Sequence, residues 1–426
     1  MPQPYETDQR ARFSHGWSVL AASFVILFFS SGARNSFGVM FKPMSAEFGW
    51  NRGDISLAFF VNMILFALSL MVVGRFYDRY GPKWVIVIST LFLSAGYILL
   101  SRIGSLGEFY VSFGVLAAVG LGGTSPPLFS ALVCKYFVKW RGLAISLALS
   151  GNCLGQFAIV PLFTAFSLKH GWRAPNFYLG FIMLALNITL AFLVFRGDLE
   201  DRGKRSAGLR ETGRIRQKER LAEGDLSLRE AMRTPSLWFF AAAMFVCGSG
   251  DFFVTTHLIP FVTDHGVSAI TAGNMLAWFG LMSLPGILIA GPASDVIGNK
   301  IPIALTFLLR VFLFLLILRH QTTLSFYVFS LLFGFTLLIT APLSTTLLGR
   351  LYGFSNIGLI SAFVVTVHNL GGGLWTYMGG VVFDWTGSYR SIFIFSSVMA
   401  LVAFLFTLLV QERRHLRPEK KVGTKQ

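Results

Sequence analysis

Long apolar runs recur along this chain, and they restrict its fold more than any other feature. Each run approaches the roughly 20 residues that a helix needs to cross a hydrocarbon layer about 30 Å thick. Hydrophobic residues make up 54% of the chain and charged residues only 13%, whereas a soluble domain carries about 25% charged residues. We therefore predict an all-α integral membrane protein with twelve transmembrane helices, near 16–40, 54–73, 84–101, 109–134, 142–167, 175–195, 236–262, 271–292, 301–318, 323–348, 356–382 and 389–410.

The basic residues are distributed unevenly between the loops that these helices define. If both termini are inside, inner segments hold 27 of the 36 Lys and Arg residues, and outer loops hold seven. Such a bias sets the orientation of membrane proteins, so we predict cytoplasmic termini and a multi-pass protein of the inner (plasma) membrane. The net charge of +16 reflects this topology and contact with anionic headgroups. It does not indicate nucleic-acid binding.

Two loops share the pattern G-x-x-x-D-x-x-G-x-K at an offset of 217 residues, GRFYDRYGPK at 74–83 and GPASDVIGNK at 291–300. The repeat predicts six-helix bundles at 14–196 and 235–411, a cytoplasmic linker at 197–234 and a cytoplasmic tail at 412–426. The two bundles would rock about a site near the middle of the membrane. Glycines in the loops would allow tight turns and close helix approach, and the aspartates would cap a helix or pair with arginine. The conformational-switch residues are predicted to be Gly74, Asp78, Arg79, Gly81, Gly291, Asp295 and Gly298.

These loops resemble the inter-helix motif of the major facilitator superfamily. Other segments resemble bacterial members of the monocarboxylate transporter family and the neighbouring oxalate/formate antiporter family: HGW at 15–17, NSFGVMFKP at 35–43, EFGW at 47–50, YFVKWRGLA at 136–144, GWR at 171–173 and HLIPF at 257–261. The resemblance implies that helices 1, 4, 7 and 10 line a cavity. It also implies that a cation within the membrane pairs with the substrate carboxylate.

The chain departs from both families at their charged positions. The monocarboxylate pattern implies Asp and Arg before a proline in the eighth helix, where this chain reads GLMSLP at 280–285. The oxalate/formate pattern implies Lys in the eleventh helix, where His368 and Asn369 stand. Either the charges have been relocated to the first and seventh helices, or the substrate differs.

Arg34 and Asp251 lie inside the first and seventh apolar runs, also 217 residues apart. Charge in hydrocarbon costs at least about 2.5 to 3.5 kcal/mol, so residues of this kind usually line a bundle interior or a water-filled path. Arg34 is predicted to bind a substrate carboxylate with its bidentate fork; the alternative is a structural arginine that reaches the outer surface. Asp251 either binds the transported proton, once a substrate anion that competes for Arg34 has freed its carboxylate, or forms a fixed Arg34–Asp251 gate.

Other polar residues in the apolar runs extend the predicted substrate site. His257 and His368 either titrate or bind a carboxylate, or they are satisfied core histidines. Asn152 and Asn369 occupy nearly equivalent places in the two halves, and both substrate contact and interhelical bonding stay open for them. Arg310, in the ninth run, is expected to play a structural role against another helix.

The remaining motifs limit the class of function. Cys134, Cys153 and Cys247 lack metal-ligand spacing and are expected to pack, so we predict no metal and no cofactor. No metalloprotease, G-x-S-x-G or Walker motif occurs, which argues against an enzyme and leaves a gradient to drive transport.

The favoured function is a secondary transporter of small organic anions, above all monocarboxylates, by alternating access with proton symport or anion exchange. The alternative is proton-driven export of drugs or other amphipathic solutes, although the glycine–proline motif expected in the fifth helix is missing from GNCLG at 151–155. The predicted partners are the substrate, protons and the lipid bilayer, and a monomer is sufficient.

Overall fold

The structure, a computed structural model, describes residues 4–137, 140–195 and 225–411. The predicted tail and most of the predicted linker lie outside these residues. The described part of the chain is helical and contains no strand. Twelve helices are long and apolar enough to cross a membrane, which confirms the predicted number. They are α1 (His15–Phe48), α2 (Arg52–Tyr80), α3 (Pro82–Leu100), α4 (Leu106–Val133), α5 (Gly142–His170), α6 (Arg173–Val194), α7 (Pro235–Asp264), α8 (Ala269–Ile297), α9 (Lys300–Arg319), α10 (Thr323–Tyr352), α11 (Ile357–Thr386) and α12 (Arg390–Leu409).

Three of these helices are interrupted. α1 joins two helical segments, Pro4–Asn35 and Phe37–Phe48, at Ser36, and α10 joins Thr323–Leu337 to Thr340–Tyr352. α4 contains a π-helical stretch, Tyr110–Ala117, a form that is rare and frequent at functional sites. Interrupted helices near mid-membrane are typical of transporters, where they form the binding site. The interruption of α1 lies two residues after Arg34.

The end of the linker is attached to the loop between α10 and α11. The amide of Leu226 donates to the Tyr352 carbonyl at 2.9 Å, and the amide of Ser355 donates to the Asp225 carboxylate at 3.0 Å. Gly353 has φ +86°, and a Cβ added to it would lie 2.0 Å from the Asp225 carboxyl carbon. Only glycine therefore fits this attachment. The short helix Leu228–Ala231 then leads into α7.

The first six helices meet the last six along three contacts: α2 with α11, α5 with α8, and the second segment of α1 with α7. Glycines allow the backbones to approach. A Cβ on Gly38 of α1 would lie 2.9 Å from the Thr256 carbonyl oxygen of α7, and a Cβ on Gly380 of α11 would lie 2.5 Å from the Arg52 carbonyl oxygen of α2. These contacts lie toward one end of the helices. We call it the outer end, because the distribution of basic residues predicts that it faces outward.

The apolar cores show the same difference between the two ends. One core at the outer end contains residues from both halves of the chain, among them Phe37, Phe41, Phe253 and Phe261. Toward the other end, which we call the inner end, the second half has a core of its own and the first half has two separate ones. The halves are thus joined at the outer end.

Candidate functional site

Arg34 lies where the two halves meet. Its Nη2 donates to the Met63 thioether at 3.1 Å, and its Cζ is 4.9 Å from the ring centroid of Phe66 and 5.1 Å from that of Phe252. Met63 and Phe66 belong to α2, whereas Phe252 belongs to α7. Within the described residues no carboxylate forms an ion pair with this guanidinium. Arg34 is therefore a part-buried cation without a counter-ion.

Tyr97 of α3 supplies a second unused donor near Arg34. Its side chain is fully buried, and its hydroxyl has no hydrogen-bond partner in the described part of the chain. The phenol is close enough to interact electrostatically with the guanidinium. A buried hydroxyl without a partner costs about 1 to 3 kcal/mol, so the arrangement favours a ligand with a suitable acceptor.

Asp251 of α7 pairs with Arg310 of α9, at 2.7 Å between Oδ1 and Nη2. The predicted Arg34–Asp251 pair is therefore wrong. Successive residues of a helix point about 100° apart. Phe252 faces Arg34, and its neighbour Asp251 is directed toward α9 instead. The other oxygen of Asp251, Oδ2, lies 3.3 Å from His368 Nε2 on α11.

Arg310 has all the acceptors that a buried guanidinium needs. Its Nε donates to the Thr336 hydroxyl at 3.0 Å, its Nη1 to the Cys247 carbonyl at 3.2 Å, and its Nη2 to the Thr336 carbonyl at 3.4 Å. The side chain is 1% exposed. These contacts connect α7, α9 and α10, as expected of the structural role that the sequence suggested.

Phe252 contacts both Arg34 and His368. Its ring centroid lies 5.6 Å from that of His368, in an edge-to-face arrangement. Glycines bring α11 against α7 at this level, because a Cβ on Gly248 would lie 1.9 Å from the His368 carbonyl oxygen. Phe252 thus connects Arg34 with the Asp251–His368 pair.

His257, which was predicted to bind substrate, lies nearer the outer end. Its Nδ1 is 2.8 Å from the Tyr389 hydroxyl, and its Nε2 is 2.9 Å from the Thr376 carbonyl oxygen. The ring is 1% exposed, and both nitrogens have partners. These contacts match the alternative of a satisfied core histidine.

The two asparagines of the predicted site lie at different places. Asn369 is buried beside His368 on α11. Asn152 is part-buried on α5. Its neighbour Gly151 faces the backbone of α1, and its other neighbour, Cys153, accepts a hydrogen bond from the Ser283 hydroxyl of α8. Neither amide has a side-chain hydrogen bond within the described residues.

A polar network at the outer end was not predicted. The Arg52 guanidinium forms two hydrogen bonds to Asp264, at 2.8 and 3.1 Å, and Lys42 Nζ lies 2.6 Å from the same carboxylate. Arg52 also donates from its amide to Asp384 at 2.9 Å and from Nη1 to the Tyr389 hydroxyl at 2.9 Å. Burial raises the pKa of the Tyr389 phenol, so this hydroxyl stays protonated. The network connects α1 and α2 to the second half.

A sequence signal for this network was present in the 217-residue offset. The offset relates Glu47, at the end of α1, to Asp264, at the end of α7. Glu47 pairs with Arg173 and accepts from the Trp172 indole at 2.7 Å, so its contacts stay within the first half. The offset marks both acids but does not reveal that only Asp264 reaches across.

The repeated loops lie at the inner end. Gly81 and Gly298 end α2 and α8 with φ of +86° and +77°, which is the tight turn that the motif predicts. The predicted close helix approach is not observed, since a Cβ on Gly74 or Gly291 would have no atom within 4 Å. Gly74 and Gly291 therefore face open space in this conformation. Three charged residues of the motif form no ion pair within the described chain, namely Asp78, Arg79 and Asp295.

Comparison with known proteins identifies relatives along the whole chain. The MFS-type transporter YcxA of Bacillus subtilis is 26% identical, over 94% of this chain and 98% of the relative. Monocarboxylate transporter 13 of Bos taurus is 25% identical over 91% of this chain and 87% of the relative. The oxalate:formate antiporter of Oxalobacter formigenes is 22% identical over 99% and 97%.

Solved structures share the fold at low sequence identity. A bacterial homologue of the human lysosomal transporter Spinster, solved in an inward-facing and unoccupied conformation, matches with a TM-score of 0.71 and 15% identity, over 93% of this chain and 97% of that one. The nucleoside transporter NupG matches with a TM-score of 0.70 and 10% identity, over 92% and 100%. The model of the Major Facilitator Superfamily matches residues 23–273 and 243–426. With twelve helices of spanning length and a family match along nearly its whole length, this chain belongs to the Major Facilitator Superfamily.

Proposed function

We propose that the protein is a secondary transporter of small organic anions, above all monocarboxylates, and not an enzyme. The observation that carries this proposal is the missing counter-ion of Arg34, whose only hydrogen-bonded partner in the described chain is a thioether. A buried charge without a partner costs several kcal/mol. A carboxylate would supply that partner through two parallel hydrogen bonds to the guanidinium.

The surroundings of Arg34 suit an anion with a single charge. The described residues offer one cation and, within electrostatic range, one free phenol, that of Tyr97, and the rings of Phe66 and Phe252 flank the guanidinium. A dicarboxylate would leave its second charge among these rings. The names of two relatives, a monocarboxylate transporter and an oxalate:formate antiporter, support small carboxylates as the class of substrate.

The difference between the two ends of the molecule supports alternating access. Bundles at 14–196 and 235–411 would rock about the level of Arg34. In the present conformation the network around Arg52 and Asp264 holds the outer end closed. The separate cores at the inner end leave that side free to open. With both termini in the cytoplasm of a plasma-membrane protein, the substrate would leave or enter through the inner side.

Coupling would act through the Asp251–His368 pair. Because Arg310 holds Asp251, substrate at Arg34 would not release this carboxylate directly. His368 contacts both Asp251 and Phe252, and Phe252 contacts Arg34, so His368 is the titratable group nearest to the substrate on this side. A proton on this pair would accompany the anion in symport, whereas anion exchange would proceed without it.

Uptake into proteoliposomes tests the proposal. A panel of labelled mono- and dicarboxylates, their neutral amides and a cationic drug would be offered with and without an inward proton gradient. We expect accumulation of a monocarboxylate and none of its amide. Transport of the drug or of neutral compounds alone would contradict the proposal.

The variant His368→Gln tests the coupling step, with His320→Gln in an exposed loop as a matched control. We expect His368→Gln to lose proton-driven accumulation while exchange of labelled for unlabelled substrate persists, because exchange needs no net proton movement. Full proton-driven accumulation in this variant would exclude His368 as the proton carrier.

A further inference from the structure

Three metal-ligand side chains converge beside the Arg310 ion pair. Cys247 and Asp251 stand four residues apart on α7 and so share one face of that helix, and His368 comes from α11. The Cys247 Sγ, a carboxylate oxygen of Asp251 and a ring nitrogen of His368 all lie within 4.8 Å of one another. We infer that these three residues form a binding site for a divalent transition-metal ion, with Zn²⁺ the best match.

Two of the three distances between these atoms match those of a tetrahedral zinc site. Sγ of Cys247 lies 3.5 Å from Oδ2 of Asp251, and Nε2 of His368 lies 3.3 Å from the same oxygen. With a Zn–S bond of about 2.3 Å and Zn–O and Zn–N bonds of about 2.0 to 2.1 Å, tetrahedral angles separate such ligand pairs by roughly 3.3 to 3.5 Å. An ion would bind all three atoms once Sγ of Cys247 and the nitrogen of His368, which lie within 4.8 Å of each other, are also about 3.5 Å apart.

Arg310 leaves the Oδ2 atom of Asp251 free to bind a metal ion. It contacts the other oxygen of Asp251, Oδ1, at 2.7 Å, so Oδ2 is directed toward Cys247 and His368. Its Nη1 also lies 3.6 Å from the Cys247 sulfur, and the Thr340 hydroxyl lies 3.5 Å from that sulfur on another side. Metal binds the thiolate, so an ion at this place would displace the Cys247 thiol proton. Outer-shell contacts of this kind orient the ligands of known metal sites.

The charges and the chemical types also agree with zinc. A thiolate and a carboxylate supply two negative charges, and the imidazole adds a neutral ligand. With Arg310 beside the site one positive charge is left over, which an anionic fourth ligand would balance. Sulfur and nitrogen ligands select Zn²⁺ over Mg²⁺ and Ca²⁺, which prefer oxygen. Sequence spacing could not reveal the site, because His368 comes from another helix 117 residues after Asp251.

The fourth coordination position would open on the side of His368. This side chain is 24% exposed, whereas that of Asp251 is 7% exposed. Three protein ligands with one open position are typical of sites that bind water or a small anion as the fourth ligand. An ion could thus enter past His368, from the side where Phe252 and Arg34 lie.

The consequence for transport rests on the proposed function. A bound ion would connect α7 to α11 and would occupy the same Asp251 and His368 atoms that are proposed to carry the proton. It should therefore inhibit proton-coupled uptake. Zinc at this site would act as a regulator, not as a participant in transport.

Titration of the purified full-length protein with Co²⁺ tests the site without any transport assay. We expect one Co²⁺ per chain, with visible bands of tetrahedral cobalt and a thiolate-to-cobalt charge-transfer band, both displaced by Zn²⁺. Cys247→Ser should remove the charge-transfer band, and His368→Gln should weaken binding at least about tenfold, as even outer-shell changes do. Cys134→Ser and Cys153→Ser are the matched controls and should retain both signals.

A second measurement covers the case that Cys247→Ser does not fold. In a chain that carries Cys134→Ser and Cys153→Ser, Zn²⁺ should slow alkylation of the remaining Cys247, and EDTA should restore the rate. The absence of tetrahedral cobalt bands in the folded wild-type protein, or unchanged alkylation at saturating Zn²⁺, would overturn the site. If the cobalt bands are present but uptake is insensitive to Zn²⁺, the inhibitory consequence is overturned.

Discussion

Arg34 and Arg310 lie deep within the apolar parts of two membrane-spanning helices, and their surroundings differ. Arg310 is 1% exposed, pairs with Asp251 and donates to three further acceptors from Cys247 and Thr336. Arg34 has one sulfur acceptor and two aromatic rings, with no acid paired to it within the described chain. The protein itself supplies the counter-ion and the acceptors of the Arg310 guanidinium. The Arg34 guanidinium obtains a counter-ion only when an anion binds. This difference separates a structural charge from a ligand site.

The difference follows from which helices surround each residue. Arg310 extends from α9 into the interior of the second half, where α7 and α10 supply its acceptors. Arg34 extends from α1 to the boundary between the halves, where α2 and α7 contribute Met63, Phe66 and Phe252. A permanent counter-ion at this boundary would hold the two halves together. If the substrate supplies the counter-ion instead, the movement of the two halves would be linked to substrate binding.

Removal of Arg310 is the change with the largest expected effect. Arg310→Met would leave Asp251 buried without its partner, and breaking a buried pair in this way costs about 3 to 5 kcal/mol. We expect a large loss of thermal stability for the purified protein in detergent. Arg319→Gln, at the exposed end of the same helix, should change little.

The double variant Arg310→Met with Asp251→Asn sharpens this result. It removes both charges, so it should recover most of the lost stability. A destabilisation below about 1 kcal/mol for Arg310→Met alone would mean that Arg310 is not the structural arginine of the pair.

An intermediate effect is expected at the outer network. Asp264→Asn would lose the ion pairs with Arg52 and Lys42. A hydrogen bond to a charged group contributes about 1.5 to 3 kcal/mol. The contribution is smaller here because the Asp264 carboxylate is partly exposed. The outer end should open more often. We expect a cysteine introduced at the buried Ser56 to react roughly tenfold faster with a membrane-impermeant maleimide added outside. An unchanged labelling rate would exclude the network as the closure of that end.

The smallest effect is expected at Glu47, the counterpart of Asp264 in the first half. Its partners, Arg173 and Trp172, belong to the same half, and the Glu47–Arg173 pair is largely exposed. Exposed pairs contribute about 0 to 1 kcal/mol. Glu47→Gln should therefore leave both the labelling of the Ser56→Cys reporter and thermal stability nearly unchanged. A response as large as that of Asp264→Asn would remove the distinction between the two acids.

The number of helices and their approximate positions were predictable because apolar length is a local property of the sequence. The turns at Gly81 and Gly298 were predictable for the same reason, since the positive φ is required within a few residues. The resemblance of the loops and short motifs identified the family that the comparisons then showed. The two related halves and their bounds at 14–196 and 235–411 stay predictions.

The partners of the charged residues were not predictable from sequence. Asp251 and Phe252 are neighbours in the chain, and helix rotation alone decides which of them faces Arg34. The pair of Arg52 and Asp264 spans 212 residues, and nothing local marks Arg52 as more than the start of a helix. The sequence could locate charge within the membrane, but it could not assign the partner.

The central claim is that a substrate carboxylate supplies the counter-ion of Arg34, and equilibrium binding to Arg34 variants tests it most directly. Binding of the monocarboxylate that the transport panel identifies would be measured for wild type, Arg34→Ala and Arg34→Lys in detergent. Loss of a charge-assisted contact of about 1.5 to 3 kcal/mol predicts affinity lower by roughly 10- to 150-fold in Arg34→Ala. Arg34→Lys should also bind more weakly, because an ammonium does not reproduce the planar fork. Unchanged carboxylate affinity in folded Arg34→Ala would contradict the claim.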